Sequence, residues 1–172
     1  VVRARALSTR MPIVFANLVG GQDELIFDGA SFALNGDGQL THQMPAFAEA
    51  IAVVEFAAGK LQNGAIAAGL SDEAEVYSAL QLGVRDYVGK NGFPGVIIGL
   101  SGGMDSALTL AIAVDALGTD KVRCVMMPSP YTAQMSLDDS REMVRRLGVQ
   151  YDEIPIGALM DLYGVSLAAT LN

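Results

Sequence analysis

Gly95-Val96-Ile97-Ile98-Gly99-Leu100-Ser101-Gly102-Gly103-Met104-Asp105-Ser106 is the stretch whose reading decides the fold. Its first six residues form a short apolar run suited to a buried strand, and a glycine-rich turn follows at once. Asp105 to Leu117 then reads as a helix with Leu108, Ile112 and neighbouring alanines on one face, stopped by Gly118. Downstream, Val122 to Met127 is a second strand closed by Pro128 and Pro130. Leu137 to Leu147 is a second helix, with Ser136 as its expected cap and Asp138 and Asp139 in its first turn. Arg145 and Arg146 lie in its last turn, and Gly148 ends it before a third strand, Val149 to Ile156. Upstream, Val76, Leu80, Val84 and Tyr87 with Val88 recur at helical spacing from Asp72 until Asn91-Gly92 and Pro94. Strand, helix, strand, helix and strand in that order imply parallel strands joined by right-handed crossovers. The fold class is α/β, and this is the opening half of a doubly wound parallel sheet.

The turn itself carries the chemistry. Gly102 and Gly103 let the backbone turn tightly and bring several N–H groups to one point. The N-terminus of the following helix adds a partial positive charge and unpaired donors. Ser101 and Ser106 can donate hydroxyl hydrogen bonds to phosphate oxygens. Asp105 would repel phosphate on its own, and it makes sense as the ligand of a Mg²⁺ that bridges to the phosphates. The Gly-Lys-Ser/Thr ending of a Walker loop is lacking, so a kinase or GTPase is not indicated. The bland reading is a tight turn with Ser and Asp as ordinary caps. Two serines, two glycines and an aspartate at a strand-to-helix joint favour a phosphate site over it.

The first third of the chain has a different character. Residues 3 to 9 read as the end of a helix stopped before Pro12, and Ile13 to Ala16 as a short buried strand. Gly20-Gly21 signals a loop. Glu24 to Phe27 and Ser31 to Leu34 flank Asp28-Gly29, which suggests a hairpin there. Asn35-Gly36-Asp37-Gly38 is a second turn, and Ile51 to Phe56 another strand candidate. Residues 58 to 72 are rich in Ala and Gly without firm periodicity, as a linker would be. The expected organisation is therefore residues 1–57, a linker over 58–72, and a second domain over 73–172.

Composition narrows the function. A net charge of −8 argues against nucleic acid or an anionic membrane as the main partner. An apolar share of 51% supports a packed core and argues against a disordered chain. Cys124 is the one cysteine, so no internal disulfide forms and no zinc cluster is indicated. It lies in an apolar strand and is expected to be a buried thiol in a reducing, cytoplasmic setting. No run of about 18 apolar residues indicates a membrane span. No signal peptide is recognisable, and Val1 begins in what reads as mid-helix, so the true N-terminus is expected upstream.

Gly99 to Ser106 resembles the SGGxDS loop of the ATP-pyrophosphatase superfamily, whose members cleave ATP between the α- and β-phosphates and adenylate a carbonyl oxygen. Met127-Pro128-Ser129-Pro130-Tyr131-Thr132, followed by Gln134-Met135-Ser136-Leu137-Asp138-Asp139, is similar to the region after a strand in NAD synthetases. Pro12-Ile13-Val14-Phe15-Ala16-Asn17 and the segment Gly20 to Ser31 are similar to the late part of a nitrilase-like glutaminase domain. In glutamine-dependent NAD synthetases that domain, an α/β/β/α sandwich, immediately precedes the synthetase domain. The resemblance implies an adenine nucleotide alpha-hydrolase-like sheet at the C-terminal side and a ligase that amidates deamido-NAD to NAD⁺. It implies ATP and Mg²⁺, ammonia supplied from glutamine, and a cytoplasmic homo-oligomer. Gly99, Leu100, Ser101, Gly102, Gly103, Met104, Asp105 and Ser106 would bind ATP, with Asp105 on the metal. The glutaminase Glu, Lys and Cys are expected upstream of Val1, and later deamido-NAD contacts beyond Asn172. The alternatives are another amidotransferase or a sulfur-transfer enzyme of the same superfamily, and a non-catalytic module that kept the loop.

Other residues invite functional readings but have plainer ones. His42, the only histidine, reads as a surface residue without a catalytic partner. Arg141, Arg145 and Arg146 are spaced like a solvated helix face. Glu24 belongs to later strands of the first region, so it reads as structural rather than as the glutaminase Glu. Tyr131 and Thr132 follow a strand's C-terminal end, where open α/β sheets bind ligands, and are held as nucleotide contacts or ordinary loop. The eight methionines read as core filler.

Overall fold

The computed structural model describes residues 1–171, so Asn172, the last residue of the expected second domain, lies outside the described residues. Two compact units divide the chain between Tyr87 and Val88.

The first unit opens with helix α1 (Val2–Thr9), ended by Arg10 in the left-handed conformation at φ 56°. Strands β1 (Ile13–Phe15), β2 (Val19–Gln22), β3 (Leu25–Asp28), β4 (Phe32–Leu34) and β5 (Leu40–Gln43) follow, then a short pair, β6 (Phe56–Ala57) and β7 (Lys60–Leu61). β1, β4 and β5 form an antiparallel sheet in that order. Phe15 pairs with Phe32, and their rings stack at 5.1 Å. The Asn35 to Gly38 turn joins β4 to β5 as the sequence suggests, closed by the Asn35 N–H donating to Gln39 O at 2.8 Å.

The hairpin lies elsewhere than expected. β2 pairs with β3 around Asp23-Glu24, with Gln22 opposite Leu25. Asp23 takes φ 51°, a left-handed conformation that a short polar side chain tolerates. Asp28-Gly29 instead ends β3: the Gly29 N–H donates to Leu18 O, and Asp28 Oδ1 accepts from Asn17 Nδ2. Gly20 and Gly21 are strand residues, not a loop. At Gly21 the reason is close approach, because its N–H donates to Asp86 Oδ2 at 2.8 Å and an added Cβ would press on Asp86 Cβ. Of the strand expected over Ile51 to Phe56, only Phe56 remains in one.

Residues 58 to 72, expected as a linker, are tied into the first unit over their first half. The Gly64 N–H donates to Thr41 O and the Gln43 N–H to Ala65 O, so this segment runs beside β5. Asn35 does for Leu61 what a neighbouring strand would: its side chain donates to Leu61 O and accepts from the Leu61 N–H. Most alanines and glycines of this segment are exposed, and close approach is confined to one position. Gly64 lies against the His42 imidazole with no room for a Cβ.

Helix α2 (Asp72–Lys90) forms where its sequence period predicts and carries three acids in its first turn, but Val76, Leu80 and Tyr87 are exposed while Leu82 and Val88 are buried. In the second unit β8 (Val96–Gly99), β9 (Val122–Met126) and β10 (Gln150–Glu153) form a parallel sheet with β9 in the centre. Helix α3 (Met104–Leu117) connects β8 to β9 through a short 3₁₀ turn, and α4 (Gln134–Leu147) connects β9 to β10. α3 and α4 touch each other and both touch β9. The core between helices and sheet is apolar: Leu100, Leu110, Ala113, Val122, Cys124 and Val144. α4 begins three residues before its expected start, with Ala133 as its N-cap, so Ser136 is helical and does not cap it. Gly148 stops it at φ 68° as expected. Helix α5 (Gly157–Leu171) closes the described chain. The fold is α/β, with the parallel sheet that the sequence implies.

Candidate functional site: the turn after β8

β8 delivers the chain into the core and then out of it. Leu100 still belongs to the sheet, since its N–H donates to Val125 O at 2.9 Å and its side chain is buried. Of the eight residues expected at the ATP site, Leu100 therefore offers only its carbonyl. Ser101, Gly103, Met104 and Asp105 are exposed, and Gly102 and Ser106 half-buried.

The turn is held by its own hydroxyls. Ser106 Oγ accepts from the Ser101 N–H at 3.2 Å and donates to Gly103 O at 3.0 Å. Ser101 Oγ lies 3.0 Å from Ser106 Oγ and accepts from the Gly103 N–H at 3.3 Å. Gly102 sits at φ 76°, the region that favours glycine. An added Cβ there would also fall inside the backbone of Ser136, in the first turn of α4. Nothing in the sequence pairs positions 102 and 136, and only the packing of α4 shows it.

α3 starts at Gly103, an extended residue without a side chain to cap the helix. The first N–H groups of a helix have no intrahelical acceptor. Met104, Asp105 and Ser106 therefore present donors at the positive end of a 14-residue dipole. Asp105 lies in this first turn with its side chain exposed. No cluster of three His, Cys, Asp or Glu suited to a metal occurs among the described residues. A single exposed carboxylate beside unpaired N–H donors still fits Mg²⁺, which keeps several waters and binds through one or two carboxylates together with substrate phosphates.

Beyond β9, Ser129 to Thr132 fold into a closed turn. Thr132 Oγ1 accepts from the Ser129 N–H at 2.9 Å, which commits Thr132 to loop structure, while Tyr131 leaves its ring exposed. The arginines of α4 are engaged in ion pairs. Arg141 grips Glu153 through two bonds of 2.6 and 2.8 Å, and Arg145 and Arg146 share Glu142. Hydrogen bonds from these two hold the Glu142 carboxyl down at about 2, and the Arg141 guanidinium holds Glu153 below the usual carboxylate range. Cys124 is fully buried, and burial pushes its thiol up, so it is the inert core residue expected.

His42 departs from its reading. It is buried in the first unit, with Nδ1 3.1 Å from Thr41 Oγ1 and its ring against Gly64. A lone polar residue in a turn-rich segment gave no signal of burial, because the chain beside its ring is the irregular stretch around Gly64, which reads as a linker. No helix among the described residues is long and apolar enough to cross a membrane.

A parallel sheet whose first strand runs into a hydroxyl-braced glycine turn and an uncapped helix N-terminus defines an open α/β domain with a phosphate-binding type of turn. Comparison with known proteins makes the class specific. The NAD synthase family model matches residues 76–170. The chain is 48% identical to a glutamine-dependent NAD(+) synthetase of Rhodobacter capsulatus, over 91% of this chain and 29% of that protein. It is 52% identical to the corresponding protein of Acinetobacter baylyi, over 81% of this chain and 26% of that one. Among solved structures, the glutamine-dependent NAD+ synthetase from Acinetobacter baumannii, in complex with ADP, superposes with a TM-score of 0.96 at 43% identity, over 99% of this chain and 33% of that one. The chain belongs to the NAD synthase family, which sets aside the sulfur-transfer alternative. It spans less than a third of the length of these two curated relatives.

Proposed function

We propose that this chain is part of a ligase that amidates deamido-NAD to NAD⁺, and that Gly99 to Ser106 hold the phosphates of ATP. The uncapped turn after β8 is the observation that carries this: three helix N–H donors and two hydroxyls gathered beside one carboxylate. The family match and the ADP complex of the Acinetobacter baumannii structure support the nucleotide. Asp105 would hold Mg²⁺, which when bound neutralises phosphate charge. A carboxylate oxygen of the pyridine ring attacks the α-phosphorus; the bond to the β-phosphate oxygen breaks, and pyrophosphate leaves. Ammonia then attacks the adenylated carbonyl carbon, loses a proton and expels AMP. The turn's task in this sequence is to position the triphosphate and to neutralise its charge.

In the same reading residues 1–57 are the end of a nitrilase-like glutaminase domain that supplies the ammonia, and residues 73–172 begin the synthetase domain. Support comes from the segments Pro12 to Asn17 and Gly20 to Ser31 and from the family match starting at residue 76, inside α2. A cytoplasmic homo-oligomer is part of the same proposal.

The test is NAD⁺ formation by the full-length protein from deamido-NAD, ATP and Mg²⁺, with ammonia and with glutamine in parallel. NAD⁺ from both donors is the expected result. NAD⁺ from ammonia alone would keep the synthetase and remove the glutaminase, and none from either would remove both.

A further inference from the structure

We infer that Asp86 is a positioning residue for ammonia transfer, its carboxylate fixing helix α2 to the β2–β3 hairpin. The inference rests on the reading of residues 1–57 as the end of a glutaminase and of the later region as a synthetase. The family match begins at residue 76, yet the compact first unit runs on to Tyr87, so most of α2 packs with the strands that precede it. The contact is close. Asp86 Oδ2 accepts from the Gly21 N–H at 2.8 Å, and the Asp86 side chain is only 19% exposed. A carboxylate accepting a backbone N–H makes one of the stronger hydrogen bonds. Glycines on both sides bring the surfaces together. A Cβ on Gly21 would meet Asp86 Cβ at 3.2 Å and Gly83 Cα at 3.6 Å, and one on Gly83 would meet Ile26 Cδ1 at 2.9 Å. Gly83 lies inside the helix, where glycine is unfavourable relative to alanine, and the Ile26 contact explains its place there. From Asp86 the same helix runs on past the division at Tyr87 and Val88, and residues 91–95 lead into β8 and its turn. Its end is closed by the Phe93 N–H donating to Val88 O. Asp86 thus grips the helix shortly before the strand that ends at the ATP turn. Loosening that grip would let the region that releases ammonia shift against the strand that presents the adenylate, and ammonia would escape to solvent.

The experiment follows glutamate and NAD⁺ together in the full-length protein supplied with glutamine, deamido-NAD, ATP and Mg²⁺, for wild type, Asp86→Ala and Asp86→Asn. Ammonia-dependent NAD⁺ formation is measured beside it. Asp86→Ala is expected to raise the glutamate released per NAD⁺ about threefold or more, with ammonia-dependent synthesis within about twofold of wild type. Asp86→Asn keeps an oxygen acceptor for the Gly21 N–H and should hold the ratio near wild type. A ratio unchanged in Asp86→Ala, or raised equally in both variants, would overturn the inference. So would an equal fall of ammonia-dependent and glutamine-dependent synthesis, and in each case the ligase reading would stand. No glutamate from the wild type would be a separate failure, that of the glutaminase reading, and the inference would fall with it. Should Asp86→Ala fail to fold, Gly83→Ala favours the helix and presses its methyl on the end of the Ile26 side chain, parting the same surfaces with the same expectation.

Discussion

The two units treat their polar side chains in opposite ways. In the first, Asn35, Thr41 and His42 are buried and committed to the fold: Asn35 stands in for a strand beside Leu61, Thr41 donates to Ala33 O, and His42 lies between Thr41 and Gly64. In the second, the core cluster is apolar, the buried Ser140 of α4 has no hydrogen-bond partner for its hydroxyl, and the polar groups of the turn after β8 lie at the surface with helix donors unpaired. Polar groups consumed by packing stabilise; those left unpaired on a rigid frame are available to a ligand. Chemistry is therefore to be sought in the second unit, and four substitutions can break or sharpen this contrast.

The largest effect is expected from Asp105→Ala. Pyrophosphate release by the full-length protein should fall by about 100-fold or more, with glutamine hydrolysis within about threefold of wild type. Equal loss of both activities would mean that Asp105 is not a local metal ligand. Gly102→Ala comes next, because a left-handed backbone and the Ser136 backbone both oppose a methyl there. A destabilisation of about 2–3 kcal/mol in denaturant unfolding, with weakened ATP binding, is expected. Gly64→Ala is the matching test in the first unit. The methyl meets the buried His42 ring, and overpacking should cost about 1–3 kcal/mol. Ammonia-dependent NAD⁺ formation should be unchanged below the new unfolding temperature. A loss of ATP binding there would erase the contrast.

Glu142→Gln should do least. The carboxylate is exposed, so at pH 7 the melting temperature should move by no more than about 2 °C. The sign of its pH dependence is fixed, because Arg145 and Arg146 lower its folded pKa from 4.5 to about 2. Its contribution is present above pH 4.5 and lost as pH falls toward 2. Wild type and variant should therefore converge in stability over that window, and a gap that widens instead would refute the ion pair.

How far the sequence could be read follows the same contrast. In the second unit apolar strands alternate with amphipathic helices, and glycine ends α3 and α4; each signal is local, so β8, α3, β9, α4 and β10 fall within a few residues of their reading. The turn was legible for the same reason, since its residues are contiguous. What was not legible depends on distant partners. Asp28-Gly29 has the dipeptide of a hairpin, yet Leu18 and Asn17 take its hydrogen bonds and the hairpin forms at Asp23-Glu24. Residues 58 to 67 look like a linker because their ties to β5 are backbone hydrogen bonds and one close approach at Gly64, which composition cannot distinguish from flexibility. Ser136 has a capping side chain, but α4 starts earlier and presents the Ser136 backbone to Gly102.

The central claim is that the turn after β8 positions ATP for attack at its α-phosphorus. The direct measurement is the fate of ¹⁸O placed in the pyridine carboxylate of deamido-NAD during turnover by the full-length protein. One labelled oxygen in AMP, with unlabelled pyrophosphate, is the expected result. Label in inorganic phosphate with ADP as the second product would place the attack at the γ-phosphorus and contradict the account.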